Sequence, residues 1–515
     1  MQESTRPVVE IMDTTLRDGE QMQSVSYTAE EKLTLSKILL TEVKINRLEI
    51  TSAGVSTGEQ EAVRKIVAWA TEIQRLDSLE VLSFVDKNRS VDWAKAVGIK
   101  RLNLLTKGSE KHCVGQLRKT PQQHAEDIIA TINYAAEQNV AMNVYLEDFS
   151  SGIKNSPVYV YNLIEILLTL PIERILLPDT LGIFNPFEVY HYLSELIQKY
   201  PNVHFEFHPH NDYGLGVANA LAAVRAGAKG IHATVNGMGE RAGNAPLDEI
   251  VVCLKDFLGA ELSVDETKLH KISQYVEMFS GQRMANNKPI YGKNVFTQTA
   301  GIHADGDKKD NLYANPLIPE RFGRKKEYAL GKLSGKANLD LTLKEMDIEL
   351  DEEKKQILLQ KIIGLGDKKE LITKEDLPYL VSDIFGTPKD IPFSLLQCSI
   401  TSAYQLKPFA AVKCTYQQVV AEGYAYGDGG YDAFMNALRQ ILQKFEIPIP
   451  QLLDYAVTIP PGGKTDALVQ AAITWQIEQQ GRTRTITTRG IDPDQNMAAI
   501  EATVKIVNFI VNQEA

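Results

Sequence analysis

Cysteine is scarce in this chain, with four in 515 residues, and Cys113, Cys253, Cys398 and Cys414 stand far apart. No C-x-x-C pair occurs among them, which excludes a disulfide-stapled scaffold and a thiolate metal knot and leaves buried small side chains as the simplest reading. Long apolar runs are also missing. None approaches the ~18 residues that a membrane-spanning helix needs, and Met1 to Glu10 carries Glu3 and Arg6 in place of an apolar signal core. No membrane partner and a cytoplasmic location are therefore expected. Nor is there a lysine- or arginine-rich tract: acidic residues outnumber basic ones by 66 to 55, a net charge of -11. A surface of that sign does not track a phosphate backbone, so nucleic acid is not an expected partner.

What is present is length and rhythm. A chain of 515 residues exceeds what one core usually supports, so two or three domains are expected. Apolar runs at 8–12, 47–51, 79–85, 101–106, 142–145, 174–177, 203–207 and 230–235 read as strands, most of them followed by an amphipathic stretch. Thr28-x-x-Glu31 is a capping box, and Thr120-Pro121 and Asn185-Pro186 put proline in a first helical turn. Eight short strands alternating with helices predict an α/β fold, a (β/α)8 TIM barrel over residues 1–285 rather than an open doubly wound sheet.

In such a barrel the chemistry belongs at the carboxyl ends of the strands. There the sequence places Arg17 and Asp18 (strand one), Thr106 (four), Tyr145 and Glu147 (five), Asp179 and Thr180 (six), His208 and His210 (seven), and Asn236, Glu240, Arg241 and Asn244 (eight). Each has a plainer reading alone: Asp18-Gly19 as a turn, Asp179 as a helix cap, Glu240-Arg241 as a surface pair. His208-Pro-His210 is the most telling element, because residues two apart on a strand point to one side. With Asp18 and the carboxamide oxygen of Asn244 the two imidazoles form a mixed oxygen and nitrogen set suited to Mn²⁺, Mg²⁺, Co²⁺ or Zn²⁺. Four protein ligands on a six-coordinate ion leave two adjacent positions, room for a 2-oxo acid to chelate and have its ketone polarised.

Three motifs in order, Asp13-Thr-Thr-Leu-Arg17-Asp18-Gly-Glu-Gln21, His208-x-His210-Asn-Asp and Gly237-Met-Gly-Glu-Arg-Ala-Gly-Asn244, resemble the signature of the 2-isopropylmalate, homocitrate and citramalate synthases. The resemblance spans essentially the whole chain. It implies a Claisen condensation of acetyl-CoA with a 2-oxo acid, followed by thioester hydrolysis, on a divalent metal. It also implies the roles: Asp18, His208, His210 and Asn244 as metal ligands, and Arg17 as the cation that stabilises charge on the ketone and enolate oxygens. Glu147 and the post-barrel His303, within Gly301-Ile-His303-x-Asp305-Gly306, are both candidates for the base, since one sequence gives neither a distance nor a pKa. In family members that histidine reaches into the neighbouring subunit, so a homodimer or higher homo-oligomer with a shared active site is expected. Tyr313 is its expected partner, although many isopropylmalate synthases place the tyrosine one residue further along. Asp305, Asn311 and Leu312 are expected acetyl-CoA contacts, and Arg17, Leu82, Leu105, Tyr145 and Thr180 the substrate set.

The acceptor follows from size. Isopropylmalate synthases commonly carry a serine two residues before the strand-five glutamate and read Ile-Ala-Thr near the end of strand four, where this chain has Tyr145 and Leu104-Leu105-Thr106. Both differences shrink the pocket, and overfilling a packed apolar site typically costs about 1–3 kcal/mol. Pyruvate is thus expected over 2-oxoisovalerate, which would make the product citramalate in isoleucine synthesis instead of 2-isopropylmalate in leucine synthesis. No arginine or lysine in the pocket set would pair the second carboxylate of 2-oxoglutarate. A carbon–carbon lyase resembling hydroxymethylglutaryl-CoA lyases is the other class open to such a barrel, but those enzymes usually lack a domain like residues 390–515.

Residues 286–388 are expected to form linker subdomains carrying His303, with a helical pattern over 341–379 and a linker at Gly386-Thr387-Pro388. The last domain, 389–515, is expected to be α+β and internally duplicated as strand-strand-helix, the two helices aligned by Asp432-Ala433-Phe434 and Asp494-Gln495-Asn496. By resemblance it is regulatory and dimerising. Its expected effector is isoleucine, failing that leucine, at Tyr431, Asp432, Leu453, Tyr455, Pro493 and Gln495.

Overall fold

The computed structural model describes residues 6–298, 312, 315–325, 327–328, 330, 334–345, 348–367, 377, 380–381, 392–458, 469–479 and 482–514. Two compact units divide the chain: Met1–Phe296 with Ala314–Lys326, and Thr297–Tyr313 with Glu327–Ala515. No described helix is long and apolar enough to cross a membrane.

The first unit is a closed parallel barrel of eight strands in sequence order, the TIM type. They are β1 Glu10–Asp13, β2 Arg47–Ser52, β3 Leu79–Phe84, β4 Arg101–Lys107, β5 Ala141–Glu147, β6 Ile175–Asp179, β7 Phe205–Pro209 and β8 Gly230–Ala233. β8 closes on β1 with Ile11 opposite Ile231 and Asp13 opposite Ala233. Helix starts follow local signals. Thr28, Thr120 and Asn185 each close a capping box, with proline at the first turn in the last two.

Strand alternation sorts the side chains. Ile11, Leu48, Ile50, Val81, Leu102, Leu104, Val144, Ile175, Leu177, Phe205, Phe207 and Ile231 belong to the main core between strands and helices. The intervening positions face the barrel axis, and many are polar, where branched aliphatics usually fill such an interior. Arg47 bonds Glu80 at 2.9 Å and Glu206, and reaches Glu10 at 3.0 Å. A second chain runs from the Asn143 amide to Asn103 Oδ1 at 2.8 Å and from the Asn103 amide to Glu49 at 2.7 Å. Charges this deep persist only where partners compensate for lost water.

In the second unit β9 Thr297–Gln298 pairs with β10 Glu327–Tyr328, and helices Lys336–Glu345 and Glu352–Asp367 bury Leu339, Leu343, Leu358 and Ile362. Two antiparallel sheets follow: β11 Phe393–Thr401, β12 Phe409–Tyr416 and β13 Val419–Tyr426, then β14 Gln451–Thr458, β15 Val469–Gln479 and β16 Arg482–Asp492. Each leads into a helix, Gly430–Lys444 and Gln495–Glu514, and the sheets and helices share one core around Trp475 and Phe434. The repeat is therefore three strands and a helix. The stretch 408–426 folds back at Gln417 and Gln418, which adopt left-handed φ of 48° and 68° without the glycine or asparagine that would announce such a turn. The helices also align differently from expectation: Gly429 is the N-cap of one, while Asp494 caps the other by accepting from Asn496 and Met497.

Candidate active site at the barrel mouth

The loop after β1 is a tight turn. Arg17 and Asp18 both donate their amides to the Thr14 carbonyl, at 3.1 and 2.8 Å, which brings their side chains over the barrel axis. The turn is held from outside by Lys32, whose buried ammonium donates to the Leu16 carbonyl at 3.2 Å and pairs with Glu20 at 2.6 Å and Glu59 at 2.7 Å. Arg17 is fixed on three sides: Nε to Glu49 at 2.5 Å, one terminal nitrogen to Asp18 at 3.0 Å, the other to the Tyr145 hydroxyl at 3.3 Å. Its guanidinium also lies 5.7 Å from the Tyr145 ring centroid.

Across the mouth, His208 at the end of β7 places Nε2 3.0 Å from Asp18 Oδ2. Ligand atoms of Asp18, His208 and His210 all lie within 4.8 Å of one another, a grouping that could hold a metal ion. Asn244 joins them through a backbone bridge to His210. Its amide nitrogen donates to the Met238 carbonyl at 3.0 Å, and among the described residues neither its buried Oδ1 nor His210 Nδ1 has a hydrogen-bond partner. Buried polar atoms rarely go unpaired, and an oxygen and a ring nitrogen left open beside a carboxylate and a second imidazole fit a divalent cation of the kind named above.

Protonation agrees with that use. Burial pushes the Asp18 carboxyl up, but the Arg17 charge and the His208 bond outweigh it and hold it well below the usual carboxylate range. Burial pushes both His208 and His210 down to about 4, against the pull of Asp18, so each imidazole is neutral and offers a lone pair.

The β8 loop owes its shape to glycine. Gly237, Gly239 and Gly243 have φ of 70°, 147° and 80°, and a methyl on Gly239 would run into the Asn244 amide, one on Gly243 into the Gly237 carbonyl oxygen. The spacing in Gly237-Met-Gly-Glu-Arg-Ala-Gly-Asn244 is thus a packing requirement of the loop that carries Asn244.

Of the substrate set, Leu82, Tyr145 and Leu105 come together with Met12 and Leu176 in a small apolar cluster distinct from the main core. Thr180 lies just past β6, its Oγ1 accepting from the Asp148 amide at 2.9 Å. Glu147 is ion-paired with Lys107, its register partner on β4. Other mouth residues take the plainer roles: Thr106 donates to the Tyr145 carbonyl, Asp179 caps the Ile183 and Phe184 amides, and Asn236 donates to the Ser273 carbonyl. Exposed Arg241 clamps Asp212 at 2.8 and 3.0 Å and the Thr180 carbonyl at 2.8 Å, with Glu240 at 3.5 Å. His303, Asp305, Asn311 and Tyr313 lie outside the described residues, and Leu312 is exposed.

In the second unit, Tyr431 packs on Tyr455 with centroids 5.1 Å apart and shares a 2.7 Å hydrogen bond with Thr503. Leu453, Asp432, Pro493 and Gln495 are exposed.

Sequence reasoning missed Glu49, Lys107 and His232, which stand immediately behind the site. Their signal was available: an ionisable residue at an axis-facing position of a run otherwise read as apolar.

A closed eight-stranded barrel with this mouth is matched over residues 8–276 by the HMGL-like family model, and the chain belongs to that family, which is metal-dependent. Residues 290–370 match the homocitrate synthase post-HMGL domain-like model, and 371–511 the LeuA allosteric (dimerisation) domain. Over nearly its full length the chain is similar to acyltransferase-type synthases of amino-acid biosynthesis. A putative (R)-citramalate synthase of Methanopyrus kandleri is 32% identical, covering 92% of this chain and 91% of that protein. A 2-isopropylmalate synthase of Methanocaldococcus jannaschii is 32% identical (98% and 95%), and an (R)-citramalate synthase of the same organism 31% (98% and 100%).

Proposed function

We propose that this chain condenses acetyl-CoA with pyruvate and hydrolyses the thioester, releasing (R)-citramalate and CoA. The observation that supports the choice of acceptor is the apolar cluster of Met12, Leu82, Tyr145 and Leu176 with Leu105, whose bulky side chains, packed beside Arg17, favour a small acceptor over a branched one. Asp18, His208, His210 and Asn244 are the residues that would hold the metal, and when bound it supplies Lewis-acid polarisation of the keto acid. Arg17, locked by Glu49 and Tyr145, sets its charge where negative charge builds on the ketone oxygen. Thr180, accepting from Asp148, keeps its hydroxyl proton to donate to the acceptor carboxylate. The base is Glu147 or His303. It takes a proton from the acetyl methyl; that carbon bonds to the ketone carbon, the carbonyl pair moves to oxygen and is protonated, and water then cleaves the thioester to free CoA. Asp305, Asn311 and Leu312 are the proposed acetyl-CoA contacts, with Tyr313 beside His303.

Release of CoA thiol, followed with pyruvate, 2-oxobutyrate and 2-oxoisovalerate, tests this reading. Pyruvate is expected to give the highest kcat/KM, and a chelator to abolish the signal until Mn²⁺ is restored. A higher value for 2-oxoisovalerate would assign 2-isopropylmalate synthesis, the second reading, which rests on the equally similar Methanocaldococcus relative.

The 371–511 match to a dimerisation and allosteric model supports a regulated homo-oligomer. Isoleucine is the proposed effector, with the Tyr431–Tyr455 pair as part of its site. Titration calorimetry should record heat with isoleucine and less with leucine; no heat from either removes the effector assignment.

A further inference from the structure

His232 on β8 is fully buried and is no candidate ligand, yet it touches both halves of the proposed site. Its Nε2 lies 2.9 Å from Glu206 Oε2. Glu206 is anchored in turn by Arg47, with Arg174 at 3.2 Å and His204 at 2.9 Å from its other oxygen. Gly230 leaves the room: a methyl there would meet the Glu206 side chain at 2.7–2.8 Å. A carboxylate fixed at Nε2 keeps the proton on that nitrogen and leaves Nδ1 as an acceptor. Two groups converge on it, the Tyr145 hydroxyl at 3.0 Å and His208 Nδ1 at 3.3 Å. Both rings stand edge-on to the imidazole, their centroids 5.5 and 5.3 Å away.

We propose that His232 is a positioning residue that ties the acceptor pocket to the metal site, orienting the Tyr145 ring and the His208 imidazole from one nitrogen. The inference rests on the ligand and pocket assignments proposed above. With Nε2 of His208, beside Asp18, given to the ion, the proton of the neutral ring sits on Nδ1, which faces His232 and donates to it. Such outer partners fix the ring and tautomer of a ligand histidine, and their loss typically weakens metal affinity about 10- to 100-fold. Tyr145 loses its nearer hydroxyl partner in the same change and keeps, among the described residues, the 3.3 Å contact from Arg17. One side chain therefore governs metal affinity and acceptor choice together.

The test pairs Mn²⁺ binding to the metal-stripped full-length protein, read from the free-ion electron paramagnetic resonance signal, with kcat/KM for pyruvate and 2-oxobutyrate. His232→Leu is expected to weaken Mn²⁺ binding about 10- to 100-fold and to lower the pyruvate-to-2-oxobutyrate ratio. His232→Asn, whose amide oxygen can accept near the position of Nδ1, is expected to recover most of the affinity. Tyr145→Phe should change the ratio and leave Mn²⁺ binding at the parent value. Parent-like Mn²⁺ binding in a folded His232→Leu overturns the proposal, as does an Asn variant no better than Leu, which would reduce His232 to packing. Should His232→Leu fail to fold, His232→Asn is set against His232→Gln, whose amide lies nearer Nε2; equal Mn²⁺ affinities overturn it. A parent protein that turns over no 2-oxo acid refutes the proposed function, and the Mn²⁺ measurements still decide the role of His232.

Discussion

Arg17→Lys is expected to lower kcat/KM for the 2-oxo acid by two to three orders of magnitude, the size seen when one preorganised donor to a developing oxyanion is removed, about 2.7–4 kcal/mol. The expectation rests on how the guanidinium is held. Nε is used by Glu49 at 2.5 Å, and the two terminal nitrogens are divided between Asp18 and Tyr145. A lysine concentrates its donors on one nitrogen and cannot reproduce the planar, spread fork that reaches Glu49, Asp18 and Tyr145 from three separate nitrogens. Glu49 would then lose the Nε bond to its Oε2 and keep the Asn103 bond to its Oε1, a costly state for a carboxylate whose pKa burial already raises. Steady-state rates of CoA release, with circular dichroism to show the variant is folded, check the result; a loss under tenfold would take Arg17 out of the transition state.

Leu105→Ala is expected to move the ratio of kcat/KM for 2-oxoisovalerate over pyruvate upward by about tenfold or more, since each methylene in an apolar pocket is worth about 1–3 kcal/mol of discrimination. Leu105 is the better position to open. It is only partly buried at the edge of the Met12–Leu82–Tyr145–Leu176 cluster and makes no polar contact there, whereas Tyr145 also bonds Arg17 and His232. Tyr145→Ser would enlarge the same space but remove both bonds, so it should cost activity with every acceptor. Side-by-side rates with the two acids decide it. A ratio unchanged by Leu105→Ala would mean that the leucine packs the barrel wall and does not meet the substrate.

Legibility differed by element. All eight barrel strands are readable because each is a short apolar run and most are followed by an amphipathic stretch, and the helix signals among them are local: Thr28 and Glu31 make their capping box three residues apart. The grouping of Asp18 with His208 and His210 was also within reach, since a barrel brings every strand's carboxyl end to one mouth. The turn at Gln417–Gln418 was not, because neither residue has the side chain that marks left-handed backbone. The pairing within the polar interior was hidden for another reason. Glu49, Asn103 and Asn143 are separated by 54 and 40 residues and become a chain of hydrogen bonds only when the sheet closes.

By itself the sequence determined the barrel and the oxygen and nitrogen donors at its mouth, consequences of alternation and side-chain identity. Tertiary structure alone decided how those donors are held. Tyr145 and His232 are 87 residues apart and meet across the barrel, and Glu206, one pleat below His208, sets the ring on which both His208 and Tyr145 lean. The physical reason is that strand periodicity tells which face a residue takes, while the partner it finds there depends on the shear that closes eight strands into a ring.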